Sequence, residues 1–214
     1  MDKPKKELSI IIPSYNEAEN LPFLCNEISE TMDGVSDNYE IIIIDDGSND
    51  KTQEVVKNLY DNDQKHIIGI HFRANFGKAS ALKAGFGEAQ GKIVITMDAD
   101  LQDDPKEIPN FIAKINEGCD LVSGWKQNRK DSFIKNTSSK FFNLTTSLFS
   151  KIKLHDFNCG FKAYRAEVAK ELDLYGQLHR YIPVMVGNRG YKISEIPVHH
   201  RKRKFGKWCK KTCC

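Results

Sequence analysis

The sequence of 214 residues lacks the long apolar runs and the leader that would place it across a membrane or in a secretory route. A helix that spans a bilayer needs roughly 18 consecutive apolar residues, and no stretch approaches that length. The first residues include three lysines and lead directly into a strand-like run, without the apolar core of a signal peptide. We therefore expect a cytoplasmic chain that is soluble or, at most, peripheral to a membrane.

The Cys-x-x-Cys spacing is also absent among the six cysteines. Scattered cysteines favour a reduced protein over a disulfide framework. His199 and His200 lie near three late cysteines, but the spacing matches no standard structural zinc site. The final pair, Cys213 and Cys214, could accept a lipid in a eukaryote, and an irregular or truncated terminus is the alternative.

Acidic residues are missing from residues 199–214, where seven lysines and arginines lie. The whole chain has a net charge of +3, so residues 1–198 carry about −4 and the basic character is local. One terminal basic cluster without a recognised reading motif argues against nucleic acid binding. The composition, 40% hydrophobic and 29% charged, is ordinary for a globular protein with a sizeable core.

What the sequence does contain is a regular alternation of aliphatic runs and amphipathic segments over its first 125 residues. Strands are predicted at residues 8–13, 40–44, 66–71, 93–97 and 120–123, and helices at 18–32, 51–60, 79–89 and 106–117. This alternation indicates an α/β fold with a mainly parallel sheet flanked by helices. Later segments predict a helix at about 136–150, helical segments after 165 and at about 178–188, and a strand at 191–198.

Two acidic clusters follow directly after two of the aliphatic runs. Asp45 and Asp46 follow one predicted strand, and Asp98 and Asp100 follow another. Both sets should emerge at the carboxyl ends of parallel strands, where open α/β sheets bind ligands. Carboxylates two positions apart can share Mg²⁺ or Mn²⁺, and such a cation can bridge a diphosphate. An isolated Asp-x-Asp pair is more often an acidic helix-capping loop, but in this context the clusters predict a metal–nucleotide site.

Three further features are expected at the same edge of the sheet. The first strand breaks at Pro13 and offers polar groups over residues 14–17. The loop after the third strand carries Arg73 and Lys78, two cations that could face phosphates. Gly47 allows a close backbone approach, so the first acidic cluster could accept hydrogen bonds from a nucleobase or ribose. Their shared placement at strand ends favours a nucleotide site over unrelated turns.

With these motifs in view, the sequence resembles the family 2 glycosyltransferases of the GT-A fold over almost its whole length. The matching blocks are residues 11–17, 44–48, 75–78, 97–103 and 158–162. Residues 178–183 and 200–208 further resemble segments of the polyprenyl-phosphate hexosyltransferases, a subgroup that includes dolichol-phosphate mannosyltransferases. The sequence departs from that subgroup at residues 206–210, where its members usually continue into more helix and often two membrane spans.

The resemblance implies roles for individual residues. The divalent metal, Mg²⁺ or Mn²⁺, and the donor diphosphate would be held by Asp98, Asp100 and Gln102. The nucleotide sugar would be bound by Pro13, Tyr15, Glu17, Asp45, Asp46, Lys78, Asp98, Ala99 and Asp100. Asp156 would orient the attacking phosphate, which makes the implied catalytic set Asp98, Asp100 and Asp156. Phosphates of the donor or the acceptor would be bound by Arg129, Arg180, Arg201 and Arg203.

These roles divide the chain into a catalytic domain at residues 1–198 and a basic tail at 199–214. The domain would comprise a nucleotide-binding half at about 1–125 and an acceptor-side half at about 126–198. The implied reaction transfers mannose or glucose from GDP-mannose or UDP-glucose to a polyprenyl or dolichyl phosphate with inversion.

The resemblance also implies partners for the chain. They are the nucleotide sugar, the polyprenyl phosphate, the cytoplasmic face of a membrane, and a membrane subunit or a second copy of the chain. Two alternatives remain open: transfer to a glycan or soluble acceptor, and a truncated, non-catalytic protein that binds a nucleotide or an acidic membrane.

Overall fold

The aliphatic runs form the strands of one mixed sheet in the computed structural model, which describes residues 5–127, 146 and 152–204. The strands are β1 (Lys6–Ser14), β2 (Tyr39–Asp45), β3 (Ile67–His71), β4 (Gly91–Thr96), β5 (Leu121–Lys126), β6 (Lys162–Arg165) and β7 (Ile193–Val198). The α-helices are α1 (Leu21–Met32), α2 (Thr52–Asn62), α3 (Lys78–Glu88), α4 (Ile108–Asn116), α5 (Ala166–Glu171) and α6 (Ile182–Asn188). Short 3₁₀ helices lie at Pro105–Glu107 and Leu178–Tyr181.

The strand order in the sheet is β3-β2-β1-β4-β6-β5-β7. The pairs β1–β2, β1–β4, β2–β3 and β5–β7 are parallel, and β6 runs antiparallel to β4 and β5. The prediction of a mainly parallel α/β sheet is therefore confirmed. Strand β6 was not predicted, because its four residues include two cations and no aliphatic run.

Helices cover both faces of the sheet, and this explains the unbroken isoleucine run of β2. Successive side chains of a strand point to opposite faces. Ile10 and Ile41 pack in the cluster beneath α1, α2 and α4, whereas Ile11 and Ile42 pack in the cluster beneath α3, α5 and α6. Every residue of β2 is buried as a result. Such burial on both faces is typical of strands at the centre of a parallel sheet.

The carboxyl ends of β1, β2 and β4 meet at one edge of the sheet. The Asp46 amide donates to the Ser14 carbonyl at 2.9 Å, and the Met97 amide donates to the Ile11 carbonyl at 3.1 Å. These bonds bring the loops that follow the three strands side by side. The acidic clusters at their ends consequently share one side of the molecule.

Several sequence predictions fall outside the described part of the chain. These are Arg129, all but residue 146 of the predicted helix at about 136–150, and residues 205–214 of the basic tail. Among the described residues, no helix combines the length and the apolar character that crossing a bilayer requires. The described cysteines, Cys25, Cys119 and Cys159, are free thiols.

Candidate active site

A cavity of about 300 Å³ opens at the carboxyl edge of β1, β2 and β4. It is lined by Pro13, Ser14, Tyr15, Glu17, Asp46, Asn75, Lys78, Ala81, Asp98, Ala99 and Asp100. The lining includes every residue predicted to bind the nucleotide sugar except Asp45. Four separate chain segments therefore form one concave, charged site.

Asp98, which follows β4, is held in its ionised form by surrounding lysines. Lys78, the first residue of α3, donates a hydrogen bond from its Nζ to Asp98 Oδ1. Burial acts to raise the pKa of Asp98, but the positive charges of Lys78, Lys126 and Lys162 outweigh it and lower the pKa to about 2. The carboxylate therefore keeps its charge throughout the physiological pH range.

Asp100 lies in the same cavity with the opposite electrostatic balance. Burial, followed by the negative charges of Asp98 and Asp103, raises the pKa of Asp100 to about 6. The Asp100 side chain accepts a hydrogen bond from the Gln102 amide at 3.2 Å. Negative charges thus dominate the surroundings of Asp100, and a cation bound beside it would relieve their repulsion.

Gly160 lets the Asp98 carboxylate approach the backbone of the loop before β6. A Cβ atom at this position would lie 2.6 Å from Asp98 Oδ2, which is shorter than any normal contact. The loop is tied to β4 by the Thr96 hydroxyl, which donates to the Gly160 carbonyl at 2.8 Å. The conformation of Asp98 therefore depends on a glycine 62 positions later in the sequence. That glycine lies in residues 158–162, a segment that resembles the family but had no predicted role for Gly160.

A buried ion pair supports the Asp98–Asp100 loop from below. Lys126 Nζ, at the end of β5, lies 2.8 Å from Asp103 Oδ1, and the two side chains are 10% and 1% exposed. Asp103 Oδ2 also accepts a hydrogen bond from the Asp98 amide at 3.2 Å. Lys126 was not among the predicted site residues, and its one sequence signal is a lysine at the end of a buried strand, where an unpaired charge is costly.

The first acidic cluster acts mainly on the surrounding backbone. Asp46 accepts hydrogen bonds from the amides of Phe76 and Gly77, at 2.7 and 2.9 Å, and so joins the β2 loop to the start of α3. Asp45 is buried and accepts from the Ser48 amide at 3.0 Å. The structure therefore places Asp46 in the cavity wall and Asp45 in the turn behind it.

The predicted arginines occupy different positions relative to the cavity. Arg203 lies at its rim, where its Nη2 donates to Glu17 Oε1 at 2.5 Å. Arg201 instead donates to Glu27 Oε2 at 2.7 Å and to the Asp103 carbonyl at 3.0 Å, outside the cavity lining. Arg180 is exposed on the 3₁₀ helix Leu178–Tyr181.

Three other predicted or overlooked polar residues lie near this region. Asp156 is only 2% exposed, and its carboxylate accepts from the Asn158 amide at 3.1 Å. Gln102 donates from its side chain to the Arg201 carbonyl at 3.3 Å. His179 lies within the matching segment of residues 178–183, and burial, reinforced by the charges of Lys78 and Arg180, lowers its pKa to about 4. The imidazole is therefore neutral at pH 7.

The donor set fits a divalent cation that is completed by a diphosphate. Within the described ranges, no group of three or more His, Cys, Asp or Glu side chains is arranged to hold a metal. Mg²⁺ in phosphate-handling enzymes commonly uses only one or two carboxylates, with substrate phosphates and water as the remaining ligands. Asp98 and Asp100 match that requirement, since both line the cavity and their oxygens are hard donors.

Known proteins resemble this chain in sequence and in fold. The model of glycosyl transferase family 2 matches residues 9–173. Undecaprenyl-phosphate 4-deoxy-4-formamido-L-arabinose transferase of Salmonella choleraesuis (strain SC-B67) is 37% identical over 203 residues, covering 95% of this chain and 62% of that protein. The chain thus spans less than two thirds of the length of this curated relative.

Solved structures share the fold at lower sequence identity. Glucosyl-3-phosphoglycerate synthase from Mycobacterium tuberculosis, in complex with Mn²⁺, uridine diphosphate and phosphoglyceric acid, superposes with a TM-score of 0.70 at 20% identity. The match covers 93% of this chain and 72% of the synthase. A structure described only as that of a mycobacterial protein superposes with a TM-score of 0.71 at 19% identity, over 94% of this chain and 69% of the other. These likenesses establish the GT-A architecture.

Proposed function

The chain belongs to glycosyl transferase family 2, and from that premise we propose that it transfers one sugar from a nucleotide sugar to a polyprenyl phosphate. The observation that carries the proposal is the placement of Asp98, Asp100 and Lys78 in one cavity at the carboxyl edge of the sheet. The 37% identity to an undecaprenyl-phosphate sugar transferase supports the choice of acceptor.

The donor would occupy the cavity with its diphosphate toward Asp98 and Asp100. Lys78 already donates to Asp98 from the first turn of α3, so its ammonium group is available to phosphate oxygens at the same place. When bound, Mg²⁺ or Mn²⁺ would neutralise charge on the departing nucleoside diphosphate. Pro13, Tyr15 and Glu17 would line the nucleotide side of the donor.

The acceptor phosphate needs little help to become a nucleophile. Its second pKa is about 6, so it is largely ionised near neutral pH without a strong base. In an in-line attack, a phosphate oxygen forms the new bond to the anomeric carbon while the bond from that carbon to the diphosphate breaks, which inverts the configuration. Orientation and electrostatic stabilisation would therefore dominate catalysis.

Asp156 and Arg180 would serve the acceptor side of the reaction. Asp156 is buried behind the loop of residues 158–162, so it would orient the acceptor phosphate through that loop rather than by direct contact. Arg180 is exposed, and its guanidinium could bind two phosphate oxygens at once. Arg129 is also proposed for the acceptor side, and only its sequence supports that proposal.

Two observations support different identities for the transferred sugar. The resemblance to polyprenyl-phosphate hexosyltransferases favours a hexose, with GDP-mannose and UDP-glucose as the leading donors. The curated relative is named for a formamido-arabinose, which makes a 4-amino-pentose derivative the second candidate. Both candidates require the same diphosphate site.

The membrane surface is the proposed place of action, because a polyprenyl phosphate is embedded in lipid. The seven cations of residues 199–214 could each contribute about 1 kcal/mol to binding an anionic surface. A membrane subunit or a second copy of the chain could supply further attachment.

The decisive experiment is transfer of label from GDP- and UDP-sugars to a short-chain polyprenyl phosphate, followed by organic extraction. Reactions would contain Mg²⁺, Mn²⁺ or a chelator, and parallel reactions would offer soluble glycans instead of lipid. Metal-dependent label in the lipid phase is the expected result and identifies the sugar. Label on a soluble glycan alone would overturn the acceptor, and no donor turnover by folded protein would favour a non-catalytic protein.

A further inference from the structure

Residues 199–204, here called the basic strap, cross the loop that carries the cavity carboxylates. His200 forms an isolated antiparallel bridge with Asp103. The Arg201 amide donates to the Gln102 carbonyl at 2.8 Å, and the Gln102 side chain donates back to the Arg201 carbonyl at 3.3 Å. The backbone of the strap is therefore attached to the very loop that presents Asp100.

Arg203 extends from this strap into the cavity rim. Its guanidinium contacts two carboxylates of the cavity lining, Glu17 at 2.5 Å and Asp100 at 3.9 Å. The side chains of all three are largely buried, with exposures of 16%, 13% and 18%. Asp100, which is expected to bind a metal, thus lies beside the positively charged Arg203 side chain.

A cation at this position has two opposite effects on the ligands of the cavity. A divalent metal on Asp100 would be repelled by Arg203, because two cations that share one carboxylate interact unfavourably. A nucleoside diphosphate would be attracted, because arginine binds phosphate oxygens bidentately. The same side chain therefore opposes the metal alone and favours the metal with its diphosphate.

We propose that Arg203 is an exchangeable internal counterion, which pairs with Glu17 and Asp100 in the absence of donor and moves onto the donor diphosphate when metal and donor bind together. The proposal rests on the function proposed above. The strap stays in reach during the exchange, because its attachments through Asp103 and Gln102 do not involve the Arg203 side chain. Binding of metal without donor is thereby disfavoured.

The test is a comparison of two affinities in the Arg203→Gln variant. Affinity for Mn²⁺ alone, measured by electron paramagnetic resonance, should become tighter by roughly fivefold or more, because a repelling charge is removed. Affinity for GDP or UDP in saturating Mn²⁺, measured by calorimetry, should weaken by about tenfold, the loss of one charge-assisted hydrogen bond. A tighter affinity for Mn²⁺ alone together with a weaker affinity for the nucleotide would identify the exchange.

Control variants separate exchange from general effects of charge and folding. Lys202→Gln removes the same charge from an exposed position on the strap and should change either affinity by less than roughly twofold. Arg203→Lys keeps the charge without the planar fork, so it should restore the wild-type Mn²⁺ affinity and only part of the nucleotide affinity. Thermal unfolding of each variant reports whether the fold is retained.

Three results would overturn the exchange. Weakening of both affinities would indicate a structural role for Arg203. Weaker nucleotide binding with unchanged Mn²⁺ binding would indicate that Arg203 is only a phosphate ligand. No change in either affinity would exclude Arg203 from the site. Failure of the proposed function has a different signature, in which the wild-type protein binds neither GDP nor UDP. The measurement with Mn²⁺ alone would then decide the counterion role separately.

Discussion

At the scale of single residues, the two carboxylates after β4 have opposite charge environments. Three lysines stabilise the ionised form of Asp98 and lower its pKa, whereas burial and neighbouring acids raise the pKa of Asp100. Asp98 would thus supply a permanent charge. Asp100 would supply the carboxylate whose repulsion a bound cation relieves.

Replacing Asp100 by alanine should abolish metal-dependent donor binding and lower turnover by about 100-fold or more while the protein stays folded. Its carboxylate is largely buried near other acids, so its removal relieves repulsion in the native state. Mn²⁺ binding, sugar transfer and thermal unfolding would be measured together. Glu19→Ala removes an exposed acid outside the cavity lining and provides the matched control. Normal activity in Asp100→Ala would remove Asp100 from the metal site.

His179 predicts a specific acid dependence of stability. Burial, then the charges of Lys78 and Arg180, lowers its folded-state pKa to about 4 from its ordinary value of 6.5. Below pH 6.5 the unfolded chain binds a proton that the native state resists, so the free energy of unfolding falls as the pH falls toward 4. This contribution is fully present above pH 6.5 and is lost across that window.

The His179→Gln variant should therefore lose less stability than the wild type between pH 7 and pH 5. Urea denaturation at both pH values gives the required free energies of unfolding. His199→Gln, which alters a side chain that is 63% exposed, is the control and should follow the wild type. Parallel curves for wild type and His179→Gln would show that His179 does not titrate in this way.

At the scale of elements, the site depends on contacts between segments that are far apart in the chain. The loop before β6 presents Gly160 to Asp98, β5 presents Lys126 to Asp103, and the loop after β2 presents Asp46 to the start of α3. Strand order in the sheet makes these segments neighbours. The chemistry of the cavity thus requires the short antiparallel β6 as much as the parallel strands.

Gly160→Ala should weaken Mn²⁺ binding by about tenfold or more with a modest stability cost of about 1 kcal/mol. The added Cβ would meet the Asp98 carboxylate, which is the end of a flexible side chain and can move away from its position in the cavity. Gly87→Ala in α3 is the control, because a Cβ there meets nothing within 4 Å. Equal Mn²⁺ affinity in the two variants would contradict this role for Gly160.

Lys126→Met should destabilise the protein by about 3–5 kcal/mol, because it leaves Asp103 as a buried charge without its cation. The double variant Lys126→Met with Asp103→Leu should recover part of that loss, since it removes both charges. Free energies of unfolding from urea titrations of the single and double variants provide the comparison. Additive losses would mean that the pair is not coupled in the native state.

At the scale of the whole molecule, charge is divided between an acidic body and a basic terminal segment. Residues 199–214 contain seven cations, and the described part of that segment lies across the edge of the sheet where the cavity opens. A membrane bound by this segment would therefore lie near the cavity. This arrangement suits an acceptor whose phosphate is at a lipid surface.

Replacing the lysines of the tail by glutamine should weaken binding to vesicles that contain phosphatidylglycerol by roughly 100-fold, at about 1 kcal/mol per charge. The substituted lysines are Lys207, Lys210 and Lys211. Vesicle sedimentation at low and high salt gives the partition, and the difference between variants should shrink as salt screens the charges. Three exposed lysines elsewhere, Lys51, Lys57 and Lys92, form the control set. Equal loss in both sets would show that net charge alone controls binding.

The architecture was largely determined by the sequence. Continuous aliphatic runs and period-3.6 patterns identified β1 to β5, the four helices between them and β7, because strands buried on both faces and helices buried on one face require those patterns. The edge location of Asp98, Asp100 and Asp46 followed from the same patterns, since acids after buried parallel strands must emerge at the carboxyl edge. Strand β6 was not predicted, because its residues, Lys-Ala-Tyr-Arg, are buried by the neighbouring strands and show no aliphatic pattern of their own.

Tertiary structure alone decided which charged groups face one another. The sequence does not indicate that Lys126 pairs with Asp103 or that Gly160 contacts Asp98. Nor does it indicate that Arg203, and not Arg201, contacts Glu17. Each contact joins residues more than twenty positions apart, and local propensity carries no information about such distances. The sequence by itself therefore determined the fold and the types of residue at the site, whereas packing of the strands decided the electrostatic balance on which its chemistry depends.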